Sequence, residues 1–254
     1  MACAPIPFLK RLLGLAAIPL AIALALCGTP AVADPGYYVV TVYSDPGVRT
    51  VDFRYWDVRQ PGEPIITWPE LGLGWNVNGR WYTEVLASYI RSSEYGTNLS
   101  TLNWQNDFLL TQGQYAFDLA LHTLLVKAKS AWGANAFEFG PVFQTEIDRT
   151  QLNANLIFER SFGANATEPT QLKYQWQVRQ RWRPWLHFGA QGFGELGPWD
   201  HWSARDAQSH RLGPALFGTV PLGEQTLSWQ AAYLIGSTYA QNGKMFTMRV
   251  KFEF

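Results

Sequence analysis

Residues 98–110, NLSTLNWQNDFLL, place apolar Leu102, Trp104, Phe108 and Leu110 in alternation with polar Thr101, Asn103, Gln105 and Asp107. A two-residue period belongs to a strand with two unlike faces, because successive side chains of extended backbone point to opposite sides. The pattern recurs at 48–58, 68–77, 80–91, 98–110, 115–127 and 136–146, then at 151–162, 170–180, 185–196, 208–219, 226–236 and 244–254. These twelve segments constrain the fold more than any other feature of the chain.

The connections between them alternate in length. Short ones fall at Asn78-Gly79, Thr111 to Gln114, Ile147 to Thr150, Arg181 to Pro184 and Leu222 to Gln225. Asn-Gly is a strong hairpin signal, since both residues tolerate positive φ. Longer, more polar connections fall at 59–67, 92–97, 128–135, 163–169, 197–207 and 237–243. A regular short–long rhythm suits membrane barrels, whose turns are short at one rim and longer at the other.

Residues 1–33 read as a secretory signal: Lys10 and Arg11, an apolar run from Leu12 to Leu26, then the small-residue site Ala31-Val32-Ala33. Both cysteines, Cys3 and Cys27, lie in that segment, so the remainder has no thiol chemistry. Removing Lys10 and Arg11 leaves 18 basic residues against 20 acidic ones, a balance that argues against a nucleic-acid partner. Past the signal, no run reaches the roughly 20 apolar residues of a membrane helix. The chain carries 12 Trp, 11 Tyr and 15 Phe, and their placement is informative. Trp75 and Trp81 flank one short turn, and Trp182 and Trp185 another. Trp56, Trp68, Trp132, Trp199 and Trp202 gather at the long connections. Two aromatic belts are the expected signature of two membrane interfaces, which a soluble β-sandwich does not require.

Together with the closing strand MFTMRVKFEF, these features resemble bacterial outer-membrane β-barrels. The resemblance covers residues 48–254 and implies an all-β, transmembrane antiparallel barrel of twelve strands in the outer membrane. It further implies contact with outer-membrane lipids and with the barrel-assembly machinery, for which Phe252 and Phe254 resemble the recognition signal. It names no activity, because the class includes pores, enzymes, adhesins and structural members. Residues 34–47 form a short N-terminal segment. Tyr37 to Ser44 reads as a further strand, either a kinked start of the first strand or a periplasmic extension.

Charges at the bilayer midplane cost a few kcal/mol, so the polar set of each strand is assigned to the lumen. On 170–180 this turns Lys173, Gln175, Gln177 and Arg179 inward. The first seven segments place Asp52, Glu70, Glu84, Asp107, Asp118, Glu138 and Glu159 inside, with Arg54. The last five place Lys173, Arg179, Arg211, Arg249 and Lys251 inside, against Glu195 and Glu253. An acidic arc therefore faces a basic one. Either the arcs set up a field across a narrow aqueous path for small hydrophilic solutes, or they meet and fill the interior. Twelve strands lie between filled eight-stranded barrels and open sixteen-stranded porins. Gly140-Pro141 and Gly213-Pro214 read as bulges or local bends that shape the wall.

No histidine spacing forms a metal or haem motif, and no cofactor is expected. His201 and Ser203 have the two-residue spacing of outer-membrane phospholipases, but they sit in a polar loop without an orienting partner. The cluster PWDHWSARDAQSH at 198–210 reads as an interfacial loop, with Trp199 and Trp202 at the headgroups. The expectation is a non-enzymatic barrel: a narrow pore or binding barrel for small hydrophilic solutes, alternatively a non-conducting structural or surface-display barrel, with a lipid-modifying enzyme as the third and weakest reading.

Overall fold

The computed structural model describes residues 36–42, 46–93, 96–111, 113–129, 133–163, 166, 168–238 and 241–254. The signal reading of 1–33 and the placement of Trp132 lie outside the described residues. Twelve antiparallel strands form one closed ring: β1 (Arg49–Arg59), β2 (Ile66–Asn78), β3 (Trp81–Ser92), β4 (Gly96–Leu109), β5 (Phe117–Ala128) and β6 (Asn135–Ile147), followed by β7 (Thr150–Phe162), β8 (Gln171–Arg183), β9 (Leu186–Pro198), β10 (Ser209–Leu222), β11 (Gln225–Thr238) and β12 (Gln241–Glu253). Each strand pairs with its sequence neighbours, and β1 pairs with β12 to close the ring. The closure runs from Thr50 opposite Glu253 to Arg59 opposite Lys244. Arg49 and Phe254 extend it by exchanging main-chain hydrogen bonds of 2.9 and 3.0 Å. Closure removes the two sheet edges that an open sheet would leave unpaired.

All twelve segments are strands, but the length rhythm is looser than expected. Two-residue turns occur at 79–80, 148–149, 184–185 and 223–224, whereas the connection at 110–116 is longer. At the opposite end, β11 and β12 run on to Thr238 and Gln241, absorbing most of the connection predicted at 237–243. The end that carries the two-residue turns is called the turn end, the other the loop end.

The alternation sorts the faces as the two-residue period requires. Leu71, Leu73, Val85, Leu102, Trp104, Phe137, Leu156, Leu212, Leu216 and Ile235 lie exposed on the outside. Among the described residues no helix is long and apolar enough to cross a membrane. Trp75, Trp182, Trp185, Trp199 and Trp202 are exposed near the two rims. Trp56 corrects the belt reading. It is 2% exposed, faces the lumen and stacks on Trp68 at 6.0 Å. The two residues oppose each other across β1 and β2, and that shared face is the inner one.

The Gly-Pro pairs are not bulges. The β6–β7 ladder lapses between Phe139 opposite Phe158 and Val142 opposite Asn155, then resumes in unchanged register. The β10–β11 ladder lapses in the same way between Leu212 opposite Ile235 and Ala215 opposite Ala232. Proline cannot donate to the ladder, and glycine lets the neighbouring strand press in. A Cβ on Gly140 would sit 1.8 Å from the Leu156 carbonyl oxygen, and one on Gly213 would sit 1.9 Å from that of Tyr233.

Candidate functional site

The lumen is occupied by the chain itself. Tyr37, Tyr38, Val39 and Val40, ahead of the barrel in sequence, are all buried. The segment 36–42 lies inside the barrel, and Gly47 N–H, at the turn end, donates to the Asn76 carbonyl at 3.1 Å. This is neither a kinked start of β1 nor an extension beyond the barrel, the two options that the sequence suggested.

Successive side chains of the segment pack in two different directions. Tyr37 and Val39 join a cluster with Trp56, Phe193, Ala215, Phe217, Ala232, Leu234 and Met245 from β1 and the β9–β12 wall. Tyr38 and Val40 pack on Ala120 and Val142 from β5 and β6. The interior is thus less uniformly polar than face assignment by hydropathy implies. The apolar residues that β9–β12 turn inward match the segment rather than lipid.

The backbone of the segment is satisfied by wall side chains, as buried peptide groups require. Val40 N–H donates to Gln175 Oε1 at 3.1 Å, and Asn155 Nδ2 donates to the Val40 carbonyl at 2.9 Å. Thr247 Oγ1 donates to the Tyr37 carbonyl at 2.7 Å. The two phenols are fixed as well: Tyr37 donates to Glu195 Oε1 at 3.1 Å, and Tyr38 to Gln105 Oε1 at 2.9 Å. Inward Asn and Gln residues therefore serve as substitute ladder partners.

Tyr38 lies over the main charge cluster. The Arg54 guanidinium stacks on its ring at 3.7 Å, and that of Arg249 is 5.4 Å from the ring centre. Arg54 Nε donates to Asp52 Oδ2 at 2.9 Å, Nη2 donates to Glu84, and Nη1 is 4.0 Å from Glu70. Arg249 grips the same Asp52, with Nη2 at 2.6 Å from Oδ2 and Nε at 3.0 Å from Oδ1. A second cluster forms where Lys173 reaches Glu159 at 2.7 Å and Glu138 at 3.5 Å. The acidic and basic arcs therefore meet at two seams, β12–β1 and β7–β8. Beside the first, Asp107 accepts from Gln105 at 2.7 Å and pairs with buried His122 at 2.6 Å.

The remaining predicted residues lie apart from these seams. Asp118 accepts from Thr111 at 3.3 Å near the turn end. Arg211 sits in the apolar region, 5.3 Å from the Tyr37 ring centre and with Nη1 3.7 Å from Met245 Sδ. Lys251 pairs with Glu253 at 2.5 Å. Phe252 and Phe254 are on the outer face, their rings 5.8 Å apart. Arg179 faces a cavity of ≈130 Å³ that Arg249, Lys251 and Thr41 also line.

His201 and Ser203 lie in the connection between β9 and β10. His201 Nδ1 is 2.7 Å from Asp200, and the Ser203 hydroxyl packs against Gly197. Among the described residues no group of three or more His, Cys, Asp and Glu is placed to hold a metal ion.

Tyr37 and Tyr38 were the site residues that strand reading missed. Their signal was present: a thirteenth strand-like segment has no place in an even-numbered ring, and inward Asn and Gln residues offer it partners.

No family model and no curated protein matches the sequence. Among solved structures, the fold is similar to that of an outer membrane channel from Pseudomonas putida F1, with a TM-score of 0.60 and 11% identity over 87% of this chain and 98% of that one. It is also similar to the NanC porin, with a TM-score of 0.56 and 8% identity over 80% of this chain and 100% of that one. With its closed ring and its apolar outer face, the chain has the fold of a twelve-stranded antiparallel β-barrel, similar to those of bacterial outer-membrane channels and porins.

Proposed function

We propose that the protein is a narrow outer-membrane channel for small hydrophilic solutes, held closed at rest by its own residues 36–42. The observation that carries this reading is that the lumen is occupied by a segment outside the strand ladder, held by side-chain hydrogen bonds. Behind it the wall is lined with Asn, Gln and charged groups. Burying each of its four large side chains contributes about 1.5–3 kcal/mol. Ordering each backbone residue costs about 1–2 kcal/mol. Over seven residues the two effects nearly cancel, so retention depends on the hydrogen bonds from the wall, and the segment can leave. In this reading the turn end faces the periplasm, and Phe252 and Phe254 serve the assembly machinery.

The test is planar-bilayer recording of the refolded wild-type barrel beside a variant lacking residues 36–42 and a Tyr38→Ala variant. The wild type should conduct rarely, Tyr38→Ala more often, and the deletion variant persistently. A deletion variant that still shifts mobility on heating in a denaturing gel, yet stays silent in concentrated salt, would mean a filled barrel. The seam ion pairs favour that second reading, in which the protein is a non-conducting structural or display barrel.

A further inference from the structure

Most basic residues of the lumen have a nearby carboxylate. Arg54 and Arg249 share Asp52, Lys173 meets Glu159, and Lys251 meets Glu253. Arg179, on β8, is different. Its Nε is buried without a hydrogen-bond partner, and its guanidinium lies 5.2 Å from the centre of the Phe217 ring. A buried guanidinium N–H without an acceptor is costly, and an anion relieves that cost through charge-assisted hydrogen bonds.

Room for such an anion exists beside it. The ≈130 Å³ cavity brings Arg179, Arg249 and Lys251 together with the neutral polar groups of Gln177, Ser228 and Gln230. Phe217 supplies an apolar wall, and Thr41 of the lumen segment closes one side. The volume resembles the roughly 150 Å³ engineered cavity that admits benzene. No acidic residue lines it. Arg179 with its unpartnered Nε, the ion-paired Arg249 and Lys251, amide and hydroxyl groups, and the aromatic side chains of Phe217 and Trp229 suit a small ion with a charged head and a short apolar body.

We infer that this cavity is a binding site for a small monocarboxylate, its carboxylate on Arg179 and Lys251 and its carbon chain against Phe217. The site deepens the channel reading, on which its role in passage rests, because Thr41 ties it to the segment that closes the lumen. Binding itself does not require conduction.

The experiment is isothermal titration of the purified barrel, folded in detergent, with sodium propionate, with uncharged propionamide and with sodium chloride. Propionate should bind saturably at one site, propionamide at least about tenfold more weakly, since loss of a charge-assisted contact is worth that much. Arg179→Gln, checked for folding by heat-shifted gel mobility, should lose propionate binding, whereas Lys244→Gln near the loop end should keep it. Absence of saturable binding to the wild type, equal affinity for propionamide, or undiminished binding by Arg179→Gln would each overturn the site. Full displacement by an equal concentration of chloride would overturn the assignment to carboxylates. Binding by a barrel that is silent in bilayers refutes the channel alone, and conduction without binding refutes the site alone.

Discussion

Replacing Arg54 with methionine removes the cation that three lumen carboxylates share while keeping a side chain of similar length. Methionine cannot reproduce the bond from Nε to Asp52 at 2.9 Å, the bond from Nη2 to Glu84, the approach of Nη1 to Glu70 at 4.0 Å or the stack on Tyr38 at 3.7 Å. Screening is slight, because the Arg54 side chain is 2% exposed and those of Asp52 and Glu84 are 0% exposed. Glu84 Oε1 and Glu70 Oε2 already lack hydrogen-bond partners, so nothing nearby takes over. Asp52 retains Arg249, but Glu84 and Glu70 lose their nearest cation. Breaking a buried ion pair by deleting one partner costs about 3–5 kcal/mol, and we expect Arg54→Met to fall in that range. The assay is urea unfolding of barrels refolded into lipid vesicles, followed by tryptophan fluorescence. Adding Glu84→Gln to Arg54→Met should recover about 1 kcal/mol or more, since the second change removes one stranded charge. A destabilisation of less than about 0.5 kcal/mol in the single variant would refute the reasoning, showing that the cluster is hydrated and not tightly packed.

Two further substitutions test other parts of the structure. Gly140→Ala places a methyl 1.8 Å from the Leu156 carbonyl oxygen, so β6 and β7 must separate. The cost should be about 1–3 kcal/mol in the same unfolding assay, and Ala at Gly113, where a Cβ meets nothing, should cost less despite its positive φ. Lys173→Met leaves Glu159 and Glu138 buried at the β7–β8 seam and should destabilise the barrel. Adding Glu159→Gln to that variant should restore part of the stability, and a lack of recovery would show that the seam charges do not interact.

Strand count and facing were legible because the two-residue period is local. Whether Trp104 faces out and Gln105 in follows from backbone geometry once the segment is a strand. Trp56 shows where that logic stops. A tryptophan near a long connection fits an interfacial belt by composition, but its parity with Asp52 and Arg54 turns it inward, and an aromatic cluster awaits it there. The Gly-Pro pairs were legible as irregularities, yet the manner of the break depended on how closely Leu156 and Tyr233 approach from neighbouring strands.

By itself, the sequence determined twelve amphipathic strands and which side chains share a face of each. Those properties depend on neighbours one or two positions away. Tertiary structure decided which charges meet: Asp52 and Arg249 are 197 residues apart and become partners only because β12 closes on β1. It also decided the course of residues 36–42, which depends on the space left by all inward side chains around the ring. No local pattern encodes that volume. Gln105, Asn155 and Gln175, brought together from three wall strands, each hydrogen-bond to that segment.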